Sequence, residues 1–112
     1  MAVFRILEAR ARPGASDAIA ELFVQQAAAI AEGVQGVVFA QALRSGDHLL
    51  GVSCWRSQQD MERYLELDAT RAFYRRLPPL LMGVPAVRTY EVLRTATGGG
   101  QADDDAAAWL RP

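Results

Sequence analysis

HLLGVSCWRSQQDMERYLELDATRAFYRRL, residues 48–77, is the stretch that decides the fold. Its first part, His48 to Arg56, is rich in strand formers and carries Trp55 at its end. Ser57 stands three residues before Asp60, an approximate capping box, and Met61, Tyr64, Leu65 and Asp68 follow at helical spacing, with Ala72 a turn further on. This reads as a strand that turns sharply into a helix. Trp55 sits at the junction, where a side chain reaches the space between the sheet and the helix above it. Any chemistry is expected in that space.

Working outward, the helix is expected to weaken at Asp68-Ala69-Thr70 and to end at Leu77, because Pro78-Pro79 cannot continue it. An apolar connector, Leu80-Leu81-Met82-Gly83, then leads past Pro85 to a strand from Ala86 to Arg94. Upstream, Ser45-Gly46-Asp47 joins His48–Arg56 to a strand from Gly36 to Arg44 as a hairpin. Before that lies a helix with the stripe Ile19, Leu22, Phe23, Ala27 and Ile30, capped by Ser16 or Asp17 and stopped near Gly33. Val3 to Arg12 is the first strand, broken by Pro13-Gly14. Val3, Leu7, Ala9 and Ala11 share one of its faces, and Arg5 is the polar exception.

The order is β-α-β-β-α-β: an α+β, ferredoxin-like arrangement with an antiparallel four-stranded sheet and both helices on one face. Leu49, Gly51, Ser53 and Trp55 fall on one side of their strand and Leu50, Val52 and Cys54 on the other, and neither side is clearly wet. Two helices cover only one face. A second sheet is therefore expected on the other, giving a homodimer whose sheets close into an α/β barrel.

Composition agrees with one globular domain. The chain has 112 residues, 51% of them hydrophobic, and a formal charge of −1, which gives no electrostatic footprint for nucleic acid. No apolar run approaches the roughly 20 residues of a membrane span. MAVFRILEAR lacks the layout of a signal peptide, and Cys54, the lone cysteine, allows no internal disulfide, which together suit the cytoplasm. His48 is the single histidine, so no multi-histidine metal site is expected, and no phosphate-binding glycine loop or nucleophile elbow occurs. Residues 1–95 are read as the domain and 96–112 as a flexible Gly-, Asp- and Ala-rich tail.

Several features together resemble the antibiotic biosynthesis monooxygenase domain, a dimeric α/β-barrel family: Pro13-Gly14, Gly36, Trp55-Arg56-Ser57-Gln58-Gln59, and Leu80-Leu81-Met82-Gly83 ahead of Tyr90-Glu91-Val92. The resemblance runs from about residue 2 to 94. Its haem-degrading branch uses an asparagine, a tryptophan and a histidine where this chain has Leu7, Tyr64 and Tyr74, which argues against haem. Its cofactor-free branch, which oxidises anthrones and related phenols to quinones, keeps a tryptophan matching Trp55 and an arginine matching Arg75. That branch has an asparagine at Gly51 and a tyrosine at Met61. Quinol-oxidising and autoinducer-processing relatives often carry a histidine at Tyr64.

The resemblance thus implies a cofactor-independent monooxygenase acting on an anthrone-like or quinol substrate with dioxygen. Trp55 and Arg75 would be its catalytic residues, and Leu7, Gly51, Ser53, Met61, Tyr64 and Tyr74 would line the substrate site, with no cofactor and no metal. Trp55 would stack on a flat ring and Arg75 would bond to an enolate or phenolate oxygen. A closed, mostly apolar cavity of a few hundred Å³ beside Trp55 would favour a catalyst, and a filled core there a binding protein. Each residue also has a plainer reading: Trp55 and Tyr64 as core, Arg75 and Arg76 as a solvated helix face paired with Glu66 or Asp68. A polyketide cyclase and a non-catalytic binding protein are the rival functions.

Overall fold

Four strands, β1 (Val3–Arg10), β2 (Val37–Ser45), β3 (His48–Trp55) and β4 (Ala86–Glu91), form one antiparallel sheet in the order β2-β3-β1-β4. This is seen in a computed structural model, which describes residues 1–98. Most of the expected tail, from residue 99 on, lies outside the described residues. Three helices, α1 (Ser16–Gly33), α2 (Gln58–Glu66) and α3 (Asp68–Arg75), complete the ferredoxin-like α+β fold. Among the described residues no helix is long and apolar enough to cross a membrane.

The helix boundaries follow local chemistry. At α2 the Ser57 hydroxyl accepts the Asp60 backbone N–H at 3.1 Å and donates to the Asp60 carboxylate at 2.9 Å, so the capping signal holds. The break falls one residue ahead of the expected weak point: Leu67 is extended (φ −66°, ψ 140°) and separates α2 from α3, whereas Asp68-Ala69-Thr70 form the first turn of α3, which ends at Arg75. At α1 the expectation needs correcting. Ala15 occupies the cap position without a side-chain bond, because Ser16 donates to the Gly46 carbonyl and Asp17 accepts from Arg44 at 2.8 Å. Those two side chains tie the helix to the β2–β3 hairpin instead of closing its end.

Strand ends also move inward from the expected limits. β4 stops at Glu91 because Val3, its partner, is where β1 begins; one more bond, Val92 N–H to the Ala2 carbonyl, follows at 2.9 Å. β1 ends at Arg10, after which Ala11 keeps an isolated bridge to Leu81.

On the helix face the sheet is layered by register. Val3 opposite Trp55 forms one apolar level, Arg5 opposite Ser53 a polar one, Leu7 opposite Gly51 an open one, and Ala9 opposite Leu49 a second apolar level. The core is accordingly divided. One cluster holds Leu7, Ile19, Phe23, Leu49, Phe73 and Leu77 among others; the second holds Val3, Ile30, Trp55, Met61 and Tyr64. The opposite face presents Phe4 and Ile6 from β1, Phe39 and Leu43 from β2, and Tyr90 from β4, and no element among the described residues packs over it. Phe39, Leu43 and Tyr90 stay 39–46% exposed.

Candidate active site

Between the two core clusters lies an inner space of about 30 Å³, bounded by the Arg5–Ser53 and Leu7–Gly51 levels below and by α1, α2 and α3 above. Phe23 and Phe73 line it, their ring centroids 5.7 Å apart. Tyr64 from α2 and Tyr74 from α3 line it as well, the Tyr74 ring edge-on to Phe73 at 5.3 Å. Gly51 keeps the floor low, since a Cβ there would reach ordinary contact with Phe23, at 3.6 Å. Room of this size holds a water molecule or a diatomic gas.

Polar atoms converge on the space. Arg5, a residue only 8% exposed, donates from Nη1 to the Tyr74 hydroxyl at 2.7 Å, and its guanidinium carbon lies 5.7 Å from the centre of that ring. Gln26 of α1 donates to the Tyr64 hydroxyl at 2.8 Å. Each phenol oxygen therefore accepts a bond from a protein N–H and keeps its own proton to donate. Burial pushes the Tyr64 phenol above its ordinary value of 10.0, outweighing the Gln26 bond and the Arg5 charge, which pull the other way. Among the described residues no carboxylate and no imidazole lines the space. His48 stands apart, within 3.7–3.8 Å of Glu8 and Asp47.

The structure brings together Leu7, Gly51, Ser53, Tyr64 and Tyr74 of the residues expected at the site. It corrects the placement of the other three. Trp55 is fully buried and does not line the space: its indole N–H donates to Ser53 Oγ at 2.9 Å and its ring lies under Tyr64. Met61 packs in the same cluster, behind the wall of the space. Arg75 is exposed at the end of α3 and points away from it, because the inward positions of that helix go to Thr70 and Phe73. The closed cavity of a few hundred Å³ beside the indole is likewise not there. A hollow of about 380 Å³ lies instead outside Tyr74, an open cleft formed with Leu77, Pro78, Leu81, Val84 and Pro85. Tyr74 is the wall common to both spaces.

Arg5 and Gln26 were not foreseen as site residues. Arg5 did leave a mark in the sequence, as the single charge on an apolar strand face. Gln26 left none, being one polar residue among several on α1. No three His, Cys, Asp or Glu side chains among the described residues converge as a metal-binding set.

Comparison with known proteins gives a consistent outcome. Residues 2–76 match the family model described as antibiotic biosynthesis monooxygenase. No curated protein matches the chain. Among solved structures, Rv0793 from Mycobacterium tuberculosis superposes with a TM-score of 0.79 at 19% identity, over 87% of this chain and 100% of that one. NE2512 from Nitrosomonas europaea, a protein of unknown function, gives 0.73 at 22% identity, over 88% and 96%. A variant of SnoaB, a cofactor-independent oxygenase from Streptomyces nogalater, gives 0.72 at 18% identity, over 84% and 95%. At such identities the structural likeness speaks for the fold, and the family assignment rests on the model match across two thirds of the sequence. The chain belongs to the antibiotic biosynthesis monooxygenase family.

Proposed function

We propose that this protein is a cofactor-independent monooxygenase that converts a small anthrone-like or quinol substrate to a quinone with dioxygen, as a cytoplasmic homodimer. The observation that carries the reading is the inner space itself: a pocket lined by Phe23 and Phe73, of a size for dioxygen, with the phenol hydroxyls of Tyr64 and Tyr74 at its side. The aromatic substrate would rest in the outer cleft and reach the inner space past Tyr74.

Chemically, a deprotonated anthrone passes one electron to dioxygen, and recombination forms a carbon–oxygen bond to a peroxide. Loss of the second proton from that carbon then breaks the oxygen–oxygen bond, leaving a carbonyl and one water. The protein's contribution is a dry, aromatic enclosure and hydrogen-bond donors for the peroxide oxygen. Tyr64 and Tyr74 would supply those donors, with Ser53, Leu7 and Gly51 shaping the floor. Trp55 and Met61 would act through Tyr64 by holding its ring. The homodimer reading is supported by the apolar second face of the sheet, where Phe4 and Phe39 already pair at 5.9 Å.

Oxygen uptake on adding 1,8-dihydroxyanthrone, together with a product carrying one more oxygen and two fewer hydrogens, is the expected result. Absence of both would remove the oxygenase reading. The packed environment of Trp55 favours a second reading, a small-molecule-binding protein without turnover. That one predicts saturable anthrone binding with no oxygen consumed, whereas a cyclase would release water from a polyketide chain.

A further inference from the structure

We infer that Arg5 makes the inner space an oxyanion site, so that the ligand is an aromatic molecule whose ring lies in the outer cleft and whose already ionised oxygen enters the inner space past Tyr74. The inference rests on the proposed reading of the outer cleft as the substrate's seat and adds the charge state of the oxygen that the substrate presents to Arg5.

Three observations converge. Arg5 is more than nine-tenths buried, yet among the described residues no carboxylate pairs with it; the ion pairs that exist belong to other arginines and to His48. Its cross-strand neighbours, Ser53 and Thr89, are neutral. A buried cation without a counter-charge is costly, and packed apolar residues usually serve a core better. Second, the guanidinium offers five donors and spends one, on Tyr74, while its side chain lines the space. Third, the titratable groups facing it from the helices are the phenols of Tyr64 on α2 and Tyr74 on α3. Tyr64 is held protonated by burial and cannot serve as the base near neutral pH. With no base at hand and an uncompensated positive charge, the site is suited to capture an anion, not to create one.

An oxyanion can come from an acidic phenol or enol, or from a carboxylate. Both present the oxygen that a planar guanidinium bonds at short range, and the probes below tell them apart.

The full chain is titrated with 4-nitrophenol, whose absorbance reports its ionisation, with benzoate, and with the non-ionising 4-nitroanisole. Wild-type protein is expected to hold 4-nitrophenol as phenolate, lowering its apparent pKa by about one unit or more. Arg5→Met should abolish that shift and weaken phenolate binding roughly 10- to 100-fold, leaving 4-nitroanisole within about twofold. Arg5→Lys should keep most of the shift. The same loss for benzoate alone would assign a carboxylate ligand, and for 4-nitrophenol alone a phenol or enol.

A bound dye that titrates as it does in free solution overturns the inference, as does unchanged anion binding in Arg5→Met. Because the variant loses an unpaired buried charge, its melting temperature is expected at or above that of wild type. A lower one with binding intact would make Arg5 a structural tie to α3 and end the proposal. If Arg5→Met fails to fold, the dye shift in wild type and Arg5→Lys decides alone. Should 4-nitroanisole bind while neither anion depends on Arg5, only this inference falls. If none of the three probes binds, the aromatic site falls with it.

Discussion

The Tyr64 ring lies over the Trp55 indole, with centroids 4.9 Å apart and 26° between the ring planes. Trp55 is fully enclosed and Tyr64 is nearly so, which makes the indole the surface on which a site residue rests. Trp55→Phe is therefore expected to lower stability by about 1–3 kcal/mol, and Trp55→Ala by about 3–5. In the phenylalanine variant Ser53 also loses the N–H that bonds its hydroxyl. Turnover or ligand affinity should change far less than it would on losing a stacking partner, within about fivefold for Trp55→Phe. Urea unfolding beside an activity or binding assay checks both parts; intact stability with activity gone would put the indole back at the substrate.

Tyr64 gives the fold a dependence on alkaline pH. Its folded-state pKa is raised above the ordinary value of 10.0, chiefly by burial. The folded chain therefore holds this proton more tightly than the unfolded chain. The contribution is fully present below pH 10 and is lost as pH rises from there through the folded pKa. Unfolding free energy measured between pH 9 and 11 should fall more steeply in wild type than in Tyr64→Phe. Parallel slopes would mean that the hydroxyl is more solvated than its burial implies.

Much of this was legible from residue order because period and punctuation agree: the 2-fold alternation of β3, the Ser57–Asp60 cap and the Pro78-Pro79 stop each act locally. The site was legible only in part, since its geometry depends on register. Whether Trp55 faces a hollow or a packed core is decided by Val3 opposite it and by Ile30, Met61 and Tyr64 arriving from two helices. Arg75 was misplaced for a similar reason. The break at Leu67 resets the helical phase, so α3 presents Thr70 and Phe73 inward and leaves Arg75 outside.

Gly36 is expected to tolerate no side chain. Its φ of 87° lies in the left-handed region, and a Cβ would collide with the side chain of Asp60, the residue that closes the α2 cap. Gly36→Ala should cost about 1–2 kcal/mol for the backbone and about 1 more for the disturbed cap. Adding Asp60→Ala to it should then cost less than Asp60→Ala does in wild type, because it removes the side chain that the new methyl group strikes and a cap that is already disturbed. Denaturant midpoints of the two single variants and the double variant test this; strict additivity would show that the two residues do not meet.

The uncovered sheet face makes the last prediction. Ile6 sits in its middle, on the strand flanked by β3 and β4, opposite Val52 on one side and Arg88 on the other. Around it Phe4, Phe39 and Tyr90 present apolar surface that the described residues of one chain leave uncovered. Burying such a face against a second copy is favourable at roughly 25 cal/mol per Å² of apolar area. A lysine at its centre would have to bury its ammonium opposite its own twofold copy. Wild type is therefore expected to run as a dimer by light scattering at micromolar concentration, and Ile6→Lys as a monomer that still shows the helical and strand signals of the fold. A wild-type monomer would remove the closed barrel, while the inner space under α1 and α3, which a single chain builds alone, would be untouched by that result.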